Sequence, residues 1–152
     1  MNKVSILDFD INNGEGVRVS LWVSGCPHKC FNCHNSSYWD NKVGTLFTDK
    51  DMDFILELLE KDMSKDFSIL GGEPLAPYNV DKITEICKAV KNTYPNKSIW
   101  VWTGYLYEEI KNFEILKYID VLIDGKYIEV LHDDNLVWRG SSNQRIINIP
   151  ET

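Results

Sequence analysis

The sequence predicts an α/β fold built on a mostly parallel sheet. Two observations favour this class. Segments rich in β-formers alternate along the chain with segments of helical periodicity, and glycine-containing turns follow the strand segments. Repeated strand–helix units form right-handed crossovers that leave neighbouring strands parallel. The 152 residues contain no repeat, linker or low-complexity tract, so we expect a single domain over 1–152.

The first predicted strand covers 17–23, where β-rich residues alternate in polarity. A polar, glycine-rich turn at 12–16 precedes it, and Gly25 follows its end. The next segment carries the cysteines. Pro27 and several polar residues interrupt it, so we expect a loop there.

Two long helices are predicted from their apolar faces. The first covers about 50–63 and is capped by Thr48 or Asp49. The second covers about 79–93 and ends before Pro95. The apolar faces follow helical spacing and consist of Met52, Ile55, Leu56 and Leu59 in the first helix, and of Val80, Ile83, Cys87, Val90 and Tyr94 in the second.

The remaining predicted elements are shorter. Strands are expected at 67–70, 98–102 and 120–123, a third helix at about 106–117, and short strands and loops over 126–149. Ligand sites in parallel sheets lie beyond the carboxyl ends of the strands. We therefore expect four loops to converge at one edge of the sheet, namely 25–35, 71–74, 103–104 and 124–126.

Composition narrows the class of protein. Hydrophobic residues make up 43% and charged residues 26%, as in ordinary globular proteins. The net charge of -7 argues against nucleic acid as the main partner. No apolar run is long enough to span a membrane, and the first residues lack a signal-peptide hydrophobic region. These features predict a cytoplasmic protein.

Three of the four cysteines lie close together, at Cys26, Cys30 and Cys33. In a reducing compartment, clustered thiols are more often metal ligands than disulfide partners. Thiolates are the usual ligands of iron–sulfur clusters, and a cubane cluster normally takes four. Three cysteines therefore predict a [4Fe–4S] cluster with one iron open to a substrate.

Two other interpretations of these cysteines remain open. One is a structural zinc site with His28 or His34 as the fourth ligand. The other makes Cys87 the fourth ligand of a cluster. The position of Cys87 on an apolar helix face argues against this, since a free cysteine there behaves as a small hydrophobe.

The cysteine spacing and the later Gly71, Gly72, Glu73 and Pro74 together resemble the radical S-adenosylmethionine superfamily. Within it, the chain resembles the activating proteins of anaerobic (class III) ribonucleoside-triphosphate reductase. The resemblance covers nearly the whole chain, and its further segments are 23–26, 34–35, 100–105, 124–126 and 138–145.

This resemblance implies a fold and a reaction. The fold is an incomplete β/α barrel of the radical S-adenosylmethionine type. The catalytic residues and metal ligands are Cys26, Cys30 and Cys33, which hold a [4Fe–4S] cluster. S-adenosylmethionine is reductively cleaved on the open iron, and the resulting radical removes a hydrogen from a glycine of the reductase. The implied partners are that reductase and a reductant such as flavodoxin.

The resemblance also implies contacts with S-adenosylmethionine. Gly71 and Gly72 let the backbone approach the methionyl group, and Glu73 adds negative charge near its amino group. Residues on both sides of Cys33 contact the nucleoside, and the strand end at 124–126 binds ribose hydroxyls or the carboxylate. The cofactor-binding residues expected are Asn32, Cys33, His34, Gly71, Gly72, Glu73, Asp124 and Lys126.

The roles of several residues, and the function itself, have more than one interpretation. Many superfamily members carry an aromatic residue where Asn32 stands, so the residue that contacts adenine is open. Trp100 and Trp102 alternate along a strand, which favours core packing. Segment 139–145 either shapes the opening where the reductase docks or forms a structured turn. Two alternative functions are a small radical enzyme acting on a small molecule and a non-catalytic zinc module.

Overall fold

The structure is a computed structural model that describes residues 1–149. Within that range the chain forms one mixed α/β arrangement of a seven-stranded sheet and flanking helices. The strands are β1 (Asn2–Asp10), β2 (Arg18–Val23), β3 (Thr45–Leu46), β4 (Asp66–Gly71), β5 (Ile99–Trp102), β6 (Val121–Asp124) and β7 (Arg145–Asn148). The α-helices are α1 (Asp49–Lys61), α2 (Val80–Thr93) and α3 (Tyr107–Ile110).

The strand order is β3-β1-β2-β4-β5-β6-β7. The four central strands, β2, β4, β5 and β6, run parallel. Antiparallel pairing of β1 with β2 and of β7 with β6 extends the sheet on both sides. The predicted parallel sheet is confirmed at its centre, where the carboxyl ends of four strands meet at one edge.

Both long helices pack on the sheet through the apolar faces that the sequence indicated. Ile55, Leu58 and Leu59 of α1 are buried, as are Ile83, Ile86, Cys87 and Val90 of α2. Helix α1 begins after Thr48, whose backbone N–H donates to Asp51 Oδ2 at 2.8 Å. Thr48 is therefore the cap, as the sequence allowed.

Parts of the structure differ from the elements expected from the sequence. The helix expected at 106–117 divides into the single turn α3 and a 3-10 turn, Glu114–Lys117, because Phe113 adopts an extended backbone between them. Strand β1 was not predicted at all. Residues 7–9 of this strand are consecutive exposed positions, so the strand does not alternate between buried and exposed residues. Its backbone hydrogen bonds come from antiparallel pairing with β2.

Arg18 is a charged residue inside the sheet, only 1% exposed. Its guanidinium donates to Ser68 Oγ at 2.6 Å and to the carbonyl oxygens of Phe67 and Ser98, each at 2.9 Å. Burial lowers the pKa of Arg18 to about 10. These bonds join β2 to β4 and to the chain entering β5, at the edge opposite the cysteine loop.

In the part of the chain that the structure describes, no helix is long and apolar enough to cross a membrane.

Candidate functional site

A cavity of about 450 Å³ opens at the carboxyl edge of the four parallel strands. Residues from all four predicted loops line it, which confirms that these loops converge. They include Cys26, Cys30 and Cys33 from the first loop, Gly71, Gly72 and Glu73 from the second, Thr103 and Gly104 from the third, and Gly125 and Lys126 from the fourth.

The cysteine loop places its three thiols around this cavity. Cys26 is buried, whereas Cys30 and Cys33 are partly exposed. The start of the loop is held by a hydrogen bond from the Cys26 N–H to the Trp39 carbonyl oxygen at 2.9 Å. Later in the loop, the Asn35 N–H donates to the sulfur of Cys33 at 3.4 Å.

The donor set of this loop fits an iron–sulfur cluster. Burial raises the pKa of the Cys26 and Cys30 thiols, and a bound metal would compensate by stabilising the thiolates. Among residues 1–149, no three His, Cys, Asp or Glu side chains are grouped as ligands of one metal ion. A cluster takes one thiolate for each of several irons, so its ligands surround a larger volume than those of a single zinc ion.

Gly71 and Gly72 pack tightly against the chain around the cysteine loop. Gly71 has a φ of 119°, and a Cβ there would collide with the carbonyl oxygen of Val23. A Cβ on Gly72 would lie 2.5 Å from the carbonyl oxygen of Gly25. Both glycines line the cavity, yet contacts within the protein already require them, independently of any ligand.

The Glu73 carboxylate is fully buried and surrounded by donors. Oε2 accepts from the Thr103 hydroxyl at 2.7 Å and from the Leu75 N–H at 3.0 Å. Oε1 accepts from the Gly104 N–H at 2.6 Å and lies 2.6 Å from His28 Nε2. The carboxylate therefore connects neighbouring loops of the site.

Asp124 is fully buried behind the cavity wall. Its Oδ1 accepts from Arg145 Nε at 3.0 Å, and its Oδ2 accepts from the Tyr107 N–H at 2.8 Å. The hydrogen bonds with Asp124 and then with Glu108 raise the pKa of Arg145. The ion pair between Asp124 and Arg145 joins β6 to β7, and no sequence motif indicates Arg145 as the partner of Asp124.

The other predicted ligand residues occupy different positions. Lys126 is exposed and lines the cavity. Asn32 is exposed, with a φ of 54°, and lies outside the cavity lining. His34 is exposed at the cavity wall, with its ring centre 5.4 Å from that of Tyr127 and 5.9 Å from that of His132. Neither Tyr127 nor His132 belongs to a sequence motif, so neither was expected at the site.

Segment 139–145 is a structured turn that also forms part of the cavity wall. Gln144 Oε1 accepts from the N–H groups of Gly140 and Ser141 at 2.9 and 3.1 Å. Gln144 Nε2 donates to the Gly125 carbonyl oxygen at 3.0 Å. The wall includes Arg139, Gly140 and Gln144.

The two tryptophans of β5 differ in their surroundings. Trp100 is 5% exposed, which confirms its predicted core position. Trp102 is partly exposed and lines the cavity, although it also packs against the buried cluster of Trp100, Val121 and Ile123. Its indole N–H donates to the Trp138 carbonyl oxygen at 2.7 Å. Core packing therefore describes only part of its role.

Comparison with known proteins gives consistent matches over nearly the whole chain. Residues 12–147 match the family model of the 4Fe-4S single cluster domain. An anaerobic ribonucleoside-triphosphate reductase-activating protein of Enterobacteria phage T4 is 45% identical over 146 residues, covering 96% of this chain and 93% of the relative. The protein of that name from Haemophilus influenzae is 43% identical, covering 96% of this chain and 97% of the relative.

A third relative of the same name, from Escherichia coli, is 41% identical over 148 residues, covering 95% of this chain and 96% of the relative. Identity at this level over this coverage, with three thiols around one cavity, establishes the family. The chain belongs to the family of anaerobic ribonucleoside-triphosphate reductase-activating proteins, within the 4Fe-4S single cluster domain family.

Proposed function

We propose that this chain is a radical enzyme that activates anaerobic ribonucleoside-triphosphate reductase by generating a glycyl radical on it. One observation carries the proposal: Cys26, Cys30 and Cys33 line the same cavity as the Gly71–Gly72 segment, in a chain of the activating-protein family. The substrate is accordingly another protein.

Cys26, Cys30 and Cys33 would hold a [4Fe–4S] cluster in this proposal, leaving one iron without a protein ligand. When bound, the cluster would supply the one-electron reduction of S-adenosylmethionine on which removal of a hydrogen atom from a reductase glycine depends. The chain itself positions these groups and keeps water from them. The buried Cys26, the partly exposed Cys30 and Cys33 and the indole of Trp102 form part of the wall that surrounds these groups.

We assign the binding of S-adenosylmethionine to the wall of the cavity that the three cysteines also line. Gly71 and Gly72 line the cavity, and we place the methionyl end beside them, where the absence of side chains leaves room for it. Lys126 and His34 line other parts of the wall, where the ligand carboxylate and nucleoside are accommodated. Asn32 and Asp124 act indirectly, since the first lies outside the cavity lining and the second pairs with Arg145.

Further parts of the proposal follow from family membership. The central parallel strands correspond to an incomplete barrel of the radical S-adenosylmethionine type, forming one domain over 1–152. A cytoplasmic location suits the reduced thiols, and a flavodoxin-like protein is the proposed reductant. The zinc module is the competing function. It is disfavoured because the Nε2 atom of His28, one of its candidate fourth ligands, contacts Glu73 instead.

The test is activation in vitro under anaerobic conditions. The chain, reconstituted with iron and sulfide, is incubated with S-adenosylmethionine, a reductant and an anaerobic ribonucleoside-triphosphate reductase. We expect a brown protein and a glycyl-radical signal in electron paramagnetic resonance, with stoichiometric 5′-deoxyadenosine. A colourless zinc protein would refute the cluster. Production of 5′-deoxyadenosine without any radical on the reductase would instead favour a small-molecule substrate.

A further inference from the structure

The imidazole of His28 lies between the first two cysteines of the loop and contacts a carboxylate from another segment. Its Nε2 atom is 2.6 Å from Oε1 of Glu73, with the two side chains 6% and 0% exposed. A carboxylate accepts hydrogen bonds, so the ring nitrogen is the donor. A hydrogen bond this short and this well shielded from water is among the stronger side-chain contacts.

The same carboxylate is tied to the ends of two parallel strands. Glu73 follows β4, and the Leu75 N–H fixes Oε2 from within that loop. The Thr103 hydroxyl and the Gly104 N–H, which follow β5, donate to Oε2 and Oε1. Glu73 thus connects the cysteine loop, through His28, to the rigid sheet beneath it.

The imidazole ring of His28 is closely packed between Tyr105 and Gly104. The ring packs edge-on against Tyr105, with ring centres 4.6 Å apart. On another side lies Gly104, where a Cβ atom would be 2.5 Å from Cδ2 of His28. Any side chain at position 104 would therefore displace the imidazole from Glu73.

The cysteine loop has a physical need for such an anchor. Lys29 directly precedes Cys30 and Asn32 directly precedes Cys33, and their φ values of 49° and 54° lie in the left-handed region. That region is unfavourable for residues with a Cβ atom. The cost is larger for Lys29 than for Asn32, because a short asparagine side chain can hydrogen-bond to nearby backbone. Local backbone preference therefore works against the loop conformation that turns the cysteines toward the cavity.

We propose that His28 and Glu73 are positioning residues whose hydrogen bond holds the cysteine loop in its cluster-binding shape before iron arrives. The identity of the bound group rests on the proposed function, whereas the ordering of the loop does not. His28 is accordingly an anchor rather than a metal ligand, and Glu73 acts on the loop rather than on S-adenosylmethionine.

The test is hydrogen–deuterium exchange on the full chain, in cluster-free and reconstituted forms. In cluster-free His28→Leu we expect amides of 26–33 to exchange about tenfold faster, as for loss of one hydrogen bond to a charged group. Amides of β2 and β4 should keep their wild-type rates. His28→Gln, whose amide nitrogen also donates, should restore slow exchange in the loop.

Two further variants separate anchoring from general stability. Gly104→Ala, which displaces the ring sterically, should reproduce the His28→Leu pattern. Thr103→Val is the matched control: it removes another donor to Glu73 but leaves His28 in place, so loop exchange should stay within about twofold of wild type. In reconstituted protein, a chelator should remove iron faster from His28→Leu than from His28→Gln.

Unchanged loop exchange in cluster-free His28→Leu would overturn the proposal. So would equal acceleration of loop and strand amides in both His28→Leu and Gly104→Ala, because His28 would then stabilise the whole fold rather than the loop. Since the first measurement uses cluster-free protein, it stands whether or not the chain activates a reductase.

Discussion

A Cβ atom on Gly72 would lie 2.5 Å from the carbonyl oxygen of Gly25, the residue before the first cysteine of the loop. The two segments also share a hydrogen bond, from the Glu73 N–H to that same oxygen at 2.7 Å. The Gly71–Gly72 segment and the start of the cysteine loop are therefore packed backbone to backbone. A substitution in the Gly71–Gly72 segment should therefore displace the start of the cysteine loop.

Gly72→Ala should consequently impair cluster binding as well as ligand binding. We expect the added methyl group to push Gly25 and Cys26 away and to lower the free energy of unfolding by about 1–3 kcal/mol. Denaturant unfolding of cluster-free protein and iron content after reconstitution would measure both effects.

Gly16→Ala is the control for this change. Gly16 has a φ of 76° but no atom within 4 Å of an added Cβ, so only a conformational cost of about 1 kcal/mol is expected there. If Gly72→Ala bound iron as well as Gly16→Ala does, tight packing against Gly25 would not matter for the cluster.

Each of Cys26→Ala, Cys30→Ala and Cys33→Ala should abolish reductive cleavage of S-adenosylmethionine. All three thiols line the cavity, and removing one leaves a cluster iron without its protein ligand. Iron and sulfide content, the visible spectrum and 5′-deoxyadenosine yield would be measured after anaerobic reconstitution. Full product yield from any variant with an intact cluster would contradict the assignment of that cysteine.

Cys87→Ala should keep both the cluster and the activity. Cys87 is fully buried on the sheet-facing side of α2, and burial raises the pKa of its thiol, so it stays protonated at neutral pH. We expect a loss of about 1 kcal/mol in unfolding free energy, as for other small core truncations. Loss of iron from a folded Cys87→Ala protein would require a four-cysteine site and would remove the open iron.

Asp51→Asn should destabilise the start of α1 in a pH-dependent way. Burial alone would raise the pKa of Asp51, but its bond from the Thr48 N–H and its pairing with Lys3 lower the pKa overall. Because the pKa of Asp51 is lower in the folded state, the ionised carboxylate stabilises the fold at pH values above the ordinary aspartate pKa of about 4. This stabilisation is lost as the pH falls below that value.

We expect Asp51→Asn to cost about 1 kcal/mol at pH 7 and progressively less below about pH 4. Urea unfolding of both proteins across this range would measure the difference. Asp53→Asn, an exposed change on the same helix, should shift stability much less. A penalty for Asp51→Asn that does not depend on pH would rule out the charged cap.

The sequence predicted much of the framework because helical and strand periodicities are local properties. The β-rich segment of β2, the apolar stripes of α1 and α2 and the buried position of Cys87 all follow from residue type and spacing along the chain. The parallel strand order in turn brings the loops after each strand to one edge. The cysteine loop and the Gly71–Gly72 segment could therefore be expected to meet.

Only the tertiary structure decided which polar side chains face the cavity and which bond to one another. Glu73 follows β4 and Asp124 ends β6, so both lie at this edge. Each is paired with a residue distant in sequence, Glu73 with His28 and Asp124 with Arg145. Strand β1 likewise depends on its pairing with β2 rather than on its own pattern. These features arise from contacts between segments far apart in the chain, and such contacts leave no periodic signal in the sequence.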